Sequence, residues 1–424
     1  MRKTPARALT AAVAATLLAA GCGGGGGDSD SGTTSDGRTV VKIALWNYDT
    51  TPEFKALIEG FEAENPKIDV QPVDILADDY ADKVTTMLAG GDSTDVLTMK
   101  NVTDYSRYAT RGQLKSLDSQ VKALDKASYS GLEPFDIDGH YYALPYRHDF
   151  WVLFYNKALV KPTGADLSNL SWAEYASLAK EMTKGKGTDK VYGTYFQTWR
   201  SPVQAIAAAQ TGGDQLSGDY GFFKDQYDLA LDLQKSGAMM PFATAKSQKV
   251  QYKTVFESGK VGMVPMGSWL AAALLDDKAK GVTDVDWGIA PLPQIKADGK
   301  TTTFGSPTAF AVNKKAKNSA AAEQFVTWAS GPKGAAAIAK IGLVPSYTGD
   351  EVMKAYFGVK GMPSDELAAK AMKPDNVNLE MPVSDRTADI NQILDEEHEL
   401  VMTGEKSVEK GIEEMNKRVK SEVQ

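Results

Sequence analysis

The chain has 424 residues, of which 42% are hydrophobic and 24% charged, the composition of an ordinary soluble globular protein. Its net charge is −8, and loss of Arg2, Lys3 and Arg7 with a leader would make it −11. That acidity, without a Lys/Arg cluster, argues against nucleic acid as a partner. The three histidines stand in no zinc-ligand spacing, so no metal and no cofactor are expected.

The first residues, MRKTPAR, are basic, and Ala8 to Ala20 is an apolar run of about 13 residues, short of the roughly 20 needed to cross a bilayer. Residues 1–21 therefore read as an export signal. The sequence Leu18-Ala19-Ala20-Gly21-Cys22 resembles the lipobox of bacterial lipoproteins, and Cys22 is the single cysteine of the chain. The resemblance implies lipidation at Cys22 and a lipid-anchored protein on the extracytoplasmic face of the cell membrane. Residues 22–37, rich in Gly, Ser, Thr and Asp, read as a flexible tether.

From Val40 the pattern alternates strand and helix. Val40 to Trp46 is β-rich, and Phe54, Leu57, Ile58 and Phe61 repeat at helical spacing, with Thr50 and Glu53 read as a capping box. Strands follow at Ile68 to Ile75 and Asp95 to Met99, around a helix marked by Tyr80, Val84, Met87 and Leu88. This predicts a βαβαβ unit with a parallel sheet, whose ligands would sit beyond the carboxyl ends of the strands, at Trp46, Asn47, Lys100 and Asn101.

Two strand-like runs, Tyr141 to Pro145 and Trp151 to Tyr155, flank the polar Tyr146-Arg147-His148-Asp149. Helices are predicted from Ser171 (capping box with Glu174), Pro202, Asp219 and Tyr252, then a strand at Val261 to Pro265 and a turn Gly267-Ser268-Trp269 into another helix. Thr308 to Asn313 reads as a strand. The rest is helical and ends on a stripe of Val408, Ile412, Met415 and Val419.

The segments VKIALWNY, MLAGGDSTDVLTMK, IDGHYYALPYRHDFWVLFYNKAL, FESGKVGMVPMGSW, WGIAPLP and FGSPTAFAVNKKAKNSAAAEQFVTWAS run in an order similar to that of the extracellular solute-binding proteins of carbohydrate ABC importers. That resemblance implies an α/β fold of two lobes, each a mixed sheet flanked by helices, joined by hinge strands near Pro145 to Asp149, Phe304 to Pro307 and Gly342 to Pro345. The lobes would comprise 38–146 plus 305–343 and 147–304 plus 344–424. It also implies a monomer that captures a sugar or oligosaccharide and delivers it to an ABC permease with a cytoplasmic ATPase.

A saccharide offers apolar ring faces and many hydroxyls, so aromatic platforms and forked hydrogen-bonding groups suit it. Trp46, Trp269, Arg147, His148 and Asp149 are candidates on that ground, as are Trp199 and Arg200, with Gly305 and Ser306 at a crossing and Arg386 late in the chain. The two arginines Arg147 and Arg200 favour an acidic sugar. Ser-x-x-Lys occurs at Ser177, Ser330 and Ser407 without the companion motifs of penicillin-recognising enzymes, and no catalytic residues are nominated. The alternatives are an exported glycoside hydrolase, which needs only two carboxylates, and a glycan-binding surface protein without a transport role.

Overall fold

The computed structural model describes residues 32–424 except 78, 101 and 103. The expected export signal, Cys22, residues 22–31 of the tether and Asn101 lie outside the described residues.

The strands are β1 (Thr39–Trp46), β2 (Ile68–Ile75), β3 (Val96–Met99), β4 (Asp136–Ile137), β5 (His140–Tyr141), β6 (Ala143–Asn156), β7 (Tyr192–Thr194), β8 (Val261–Gly267), β9 (Trp287–Ala290), β10 (Thr302–Val312) and β11 (Asn376–Leu379). As the alternating pattern requires, β1 pairs in parallel with β2 and β3, with helices Pro52–Glu64 and Tyr80–Gly90 as the crossovers. The sheet continues antiparallel through β10 and β6 to β8 and β9, so the fold is mixed α/β as expected.

Two apolar clusters fill the molecule. One joins β1, β3 and residues 143–146 and 309–312 to helices on both sides; the other gathers residues 150–155, β8, β9 and most of the chain after 344. The polar run Arg147-His148-Asp149, read from sequence as a break between strands, is instead the middle of the 14-residue strand β6. It stays extended because its backbone pairs across to Thr308, Pro307 and Ser306, with an irregularity where Tyr146 is bulged out of register. A third segment joins this crossing: Pro345 bridges Arg147, and the His148 amide donates to the Val344 carbonyl at 3.1 Å. Three extended segments thus run side by side between the two cores.

Local expectations meet different fates. The Ser171 and Glu174 capping box forms at the start of helix Trp172–Met182. That at Thr50 and Glu53 does not: the helix begins at Pro52 behind Thr51, with no side-chain cap, and Glu53 turns inward. Residues 32–37, assigned to the tether, fold back on the body. Thr33 bridges Thr39, and the Asn318 amide donates to the carbonyls of Gly32 (3.0 Å) and Val40 (2.7 Å). Val408, Ile412, Met415 and Val419 are all buried, as their spacing requires.

Candidate functional site

At the carboxyl end of β1, Trp46 packs edge-on against Phe54 (centroids 5.0 Å apart) and Tyr80 (5.2 Å). Its ring also has Lys100 Nζ at 5.5 Å and Arg147 Cζ at 6.0 Å from the centroid, within cation–π range. Asn47 follows in the left-handed region (φ 46°), which Asn tolerates better than most residues, and its side chain accepts from the Ala77 amide at 3.1 Å. Asn47 thereby shapes the turn.

Arg147 stands at the crossing between two buried carboxylates. Its Nη1 is 3.1 Å from Glu53 Oε1 and its Nε 3.3 Å from Asp149 Oδ2. Proximity is not alignment: Glu53 Oε1, Asp149 Oδ2 and Arg147 Nε are buried without a well-aligned hydrogen-bond partner among the described residues. Asp149 is held on its other side, where Ser268 Oγ donates to Oδ1 at 2.7 Å. Burial pushes the Glu53 and Asp149 carboxyls upward, with Arg147 pulling the other way. For Arg147, burial works to lower the pKa, but Tyr146, Glu53 and Asp149 outweigh it and hold the guanidinium above its usual range. The charge on Arg147 is therefore permanent.

Aromatic side chains adjoin this trio. Trp269 Nε1 donates to the Tyr252 hydroxyl at 3.1 Å, and Tyr252 lies edge-on to Trp199 at 5.7 Å. Burial raises the Tyr252 phenol, which also feels the charges of Arg147, Glu53 and Asp149. The Trp269 ring lies over the backbone of Gly267: a Cβ there would come within 1.9 Å of Trp269 Cζ3. Trp199 is 40% exposed, which makes it the most accessible face of the group.

Of the remaining sequence candidates, His148, Gly305 and Ser306 stay at the crossing, Lys100 lies beside Trp46 and Arg386 falls elsewhere. His148 contacts Ser130 Oγ through Nδ1 at 2.6 Å, and burial lowers its pKa to about 4, so it is neutral at the crossing. Gly305 is required by close approach, since a Cβ would stand 2.1 Å from the Asp149 carbonyl oxygen; Ser306 lies opposite Asp149 in register, its buried Oγ without a partner among the described residues. Lys100 donates to the Ala77 carbonyl at 2.7 Å, and Arg386 is exposed where helix Thr387–Met402 begins.

Arg200 corrects an expectation. Only 5% exposed, it donates to Asn391 Oδ1 (2.9 and 2.6 Å), Gln215 Oε1 (2.8 Å) and Gln204 Oε1 (3.4 Å), all in the second core. A guanidinium with its donors so engaged braces that core and has no fork to offer a ligand.

Glu53 and Tyr252 were not foreseen. Glu53 lies four residues before Leu57 and eight before Phe61, on the buried stripe of its helix, and an acid on an apolar stripe is the signal that could have found it. Tyr252 is likewise one turn before the buried Phe256.

Residues 47–336 match the family of bacterial extracellular solute-binding proteins. Among solved structures, a sugar transporter of Rhizobium etli in an open conformation is 34% identical, covering 90% of this chain and 99% of that one, with a TM-score of 0.76. An ABC substrate-binding protein of Listeria monocytogenes in complex with cycloalternan shares the fold (TM-score 0.78, 90% of this chain and 98% of that one) at 21% identity. The multiple sugar-binding protein of Streptococcus mutans is 22% identical over 336 residues, which are 76% of this chain and 73% of that protein.

Proposed function

The chain belongs to the bacterial extracellular solute-binding protein family, and on that premise we propose that it is an exported lipoprotein, anchored through Cys22. It captures a sugar or oligosaccharide between its two cores and delivers it to an ABC permease driven by a cytoplasmic ATPase. The observation that carries the reading is the grouping of Trp46, Tyr252 and Trp269 around the Glu53, Arg147 and Asp149 trio, where three segments pass between the cores. Flat rings suit the apolar faces of a sugar, and buried charged groups with unaligned hydrogen-bonding atoms suit its hydroxyls. The crossing segments supply the place where a hinge would turn as the lobes close.

A thermal-shift screen tests this, on residues 22–424 carrying Cys22→Ser, against saccharides, amino acids and polyamines. A saccharide present at 100 times its Kd should add about 2.7 kcal/mol of stability and emerge uncleaved. Stabilisation by amino acids or polyamines alone would remove the carbohydrate reading, and cleavage of the sugar would replace it with hydrolysis. Wild-type sugar uptake in a strain carrying a deletion of the gene would remove the transport role.

A further inference from the structure

Among the described residues around Trp46 and Tyr252, no cation withdrawn from water stands unopposed. Arg147 faces Glu53 at 3.1 Å and Asp149 at 3.3 Å, so the trio carries one net negative charge with both carboxylates ionised, and none if either holds a proton. In both of these states the Arg147 charge is opposed by at least one carboxylate. The other cation beside Trp46, Lys100, is exposed to water and donates to the Ala77 carbonyl at 2.7 Å, so its field is screened. Arg200 is turned into the second core.

A carboxylate on the ligand, brought to this trio, would leave water without gaining an unpaired partner. A hydroxyl fares differently. It can donate to Glu53 Oε1 or Asp149 Oδ2 and accept from Arg147 Nε, the atoms that are buried without an aligned partner among the described residues. We infer that the cleft selects an uncharged saccharide over its uronate counterpart, and that Glu53 is a specificity-determining residue because it cancels the charge of Arg147. This rests on the saccharide-binding reading and reverses the expectation of an acidic sugar drawn from the two arginines.

The test is calorimetric titration of residues 22–424 with Cys22→Ser, using neutral gluco-, galacto- and xylo-oligosaccharides and oligomers of glucuronate and galacturonate as probes. The best neutral probe should bind at least about ten-fold more tightly than the best uronate, a factor that corresponds to one pKa unit of charge interaction. Glu53→Gln keeps the side-chain volume and should narrow that ratio by weakening the neutral sugar and strengthening the uronate. Asp149→Asn is the second variant should Glu53→Gln fold poorly, and a ratio of two affinities on one sample does not depend on its active fraction. Equal or tighter binding of a uronate by the wild-type protein overturns the inference while leaving the saccharide reading in place. A ratio unchanged in both variants overturns the role given to the carboxylates. Binding of no saccharide, with an amino acid or polyamine bound instead, removes the reading and the inference together.

Discussion

Arg147 and Arg200 are both arginines largely withdrawn from water, yet their partners are aligned differently. Arg200 donates to neutral amide oxygens at 2.6 to 3.4 Å, each aligned to receive one of its protons, with the Asp395 carboxylate further off at 3.7 Å. Arg147 is ringed by charge at 3.1 and 3.3 Å, with atoms left unaligned. The first arrangement satisfies the guanidinium within the protein, and the second balances its charge while keeping hydrogen-bonding capacity in reserve. Burial alone does not separate the two arginines; the alignment of their partners does.

The sharpest way to break this comparison is Arg147→Ala. It leaves Glu53 and Asp149 buried without their counter-charge, and should cost about 3–5 kcal/mol of stability in denaturant titrations as well as ligand binding. Arg200→Ala strands the oxygens of Asn391 and Gln215 and should cost about 2 kcal/mol, with ligand affinity in calorimetry unchanged. A loss of affinity equal to that of Arg147→Ala would erase the distinction. Gly267→Ala pushes a methyl group into the Trp269 ring, and displacing that platform should weaken ligand binding by about 1–2 kcal/mol without altering the Arg200 network.

At neutral pH the smallest effect comes from His148 and His398, one in each region. Burial lowers His148 to about 4 and His398 to about 3, from an ordinary 6.5. Between those limits the unfolded chain binds protons that the folded chain refuses, so stability falls as pH drops below 6.5, by at most about 1.4 kcal/mol per pH unit for each histidine. The His148 contribution levels off near pH 4 and that of His398 near pH 3. His398→Gln should flatten the melting-temperature profile over the wider window, and an unchanged slope would contradict the buried, neutral state of that ring.

What was legible in the sequence was periodicity. Alternating apolar runs announced β1, β2 and β3, and the i, i+3, i+4, i+7 stripe of Phe54, Leu57, Ile58 and Phe61 announced the first helix. Arg147 and Asp149 were legible as polar residues between apolar runs, although the strand that carries them was not. A polar triplet interrupts the hydropathy pattern, whereas the backbone pairing that keeps it extended comes from Ser306 to Thr308, far along the chain. Glu53 was hidden by a stronger local rule, since an acid in a first helical turn usually serves the cap. Its use is set by a partner on β6 that no local window contains.

The fold-back of residues 32–37 sets where the chain enters the body. The chain enters β1 at Thr39, and Trp46 lies at the far end of the same strand, about 23 Å away at roughly 3.3 Å per residue. Because Asn318 clamps Gly32 and Val40, a pull on the N-terminal side is borne at the entry end of that strand and not at the Trp46 end. The entry of the chain and the Trp46 group thus stand at opposite ends of one strand. An anchor at Cys22, as proposed, would therefore hold the molecule from the end of β1 opposite the Trp46 group.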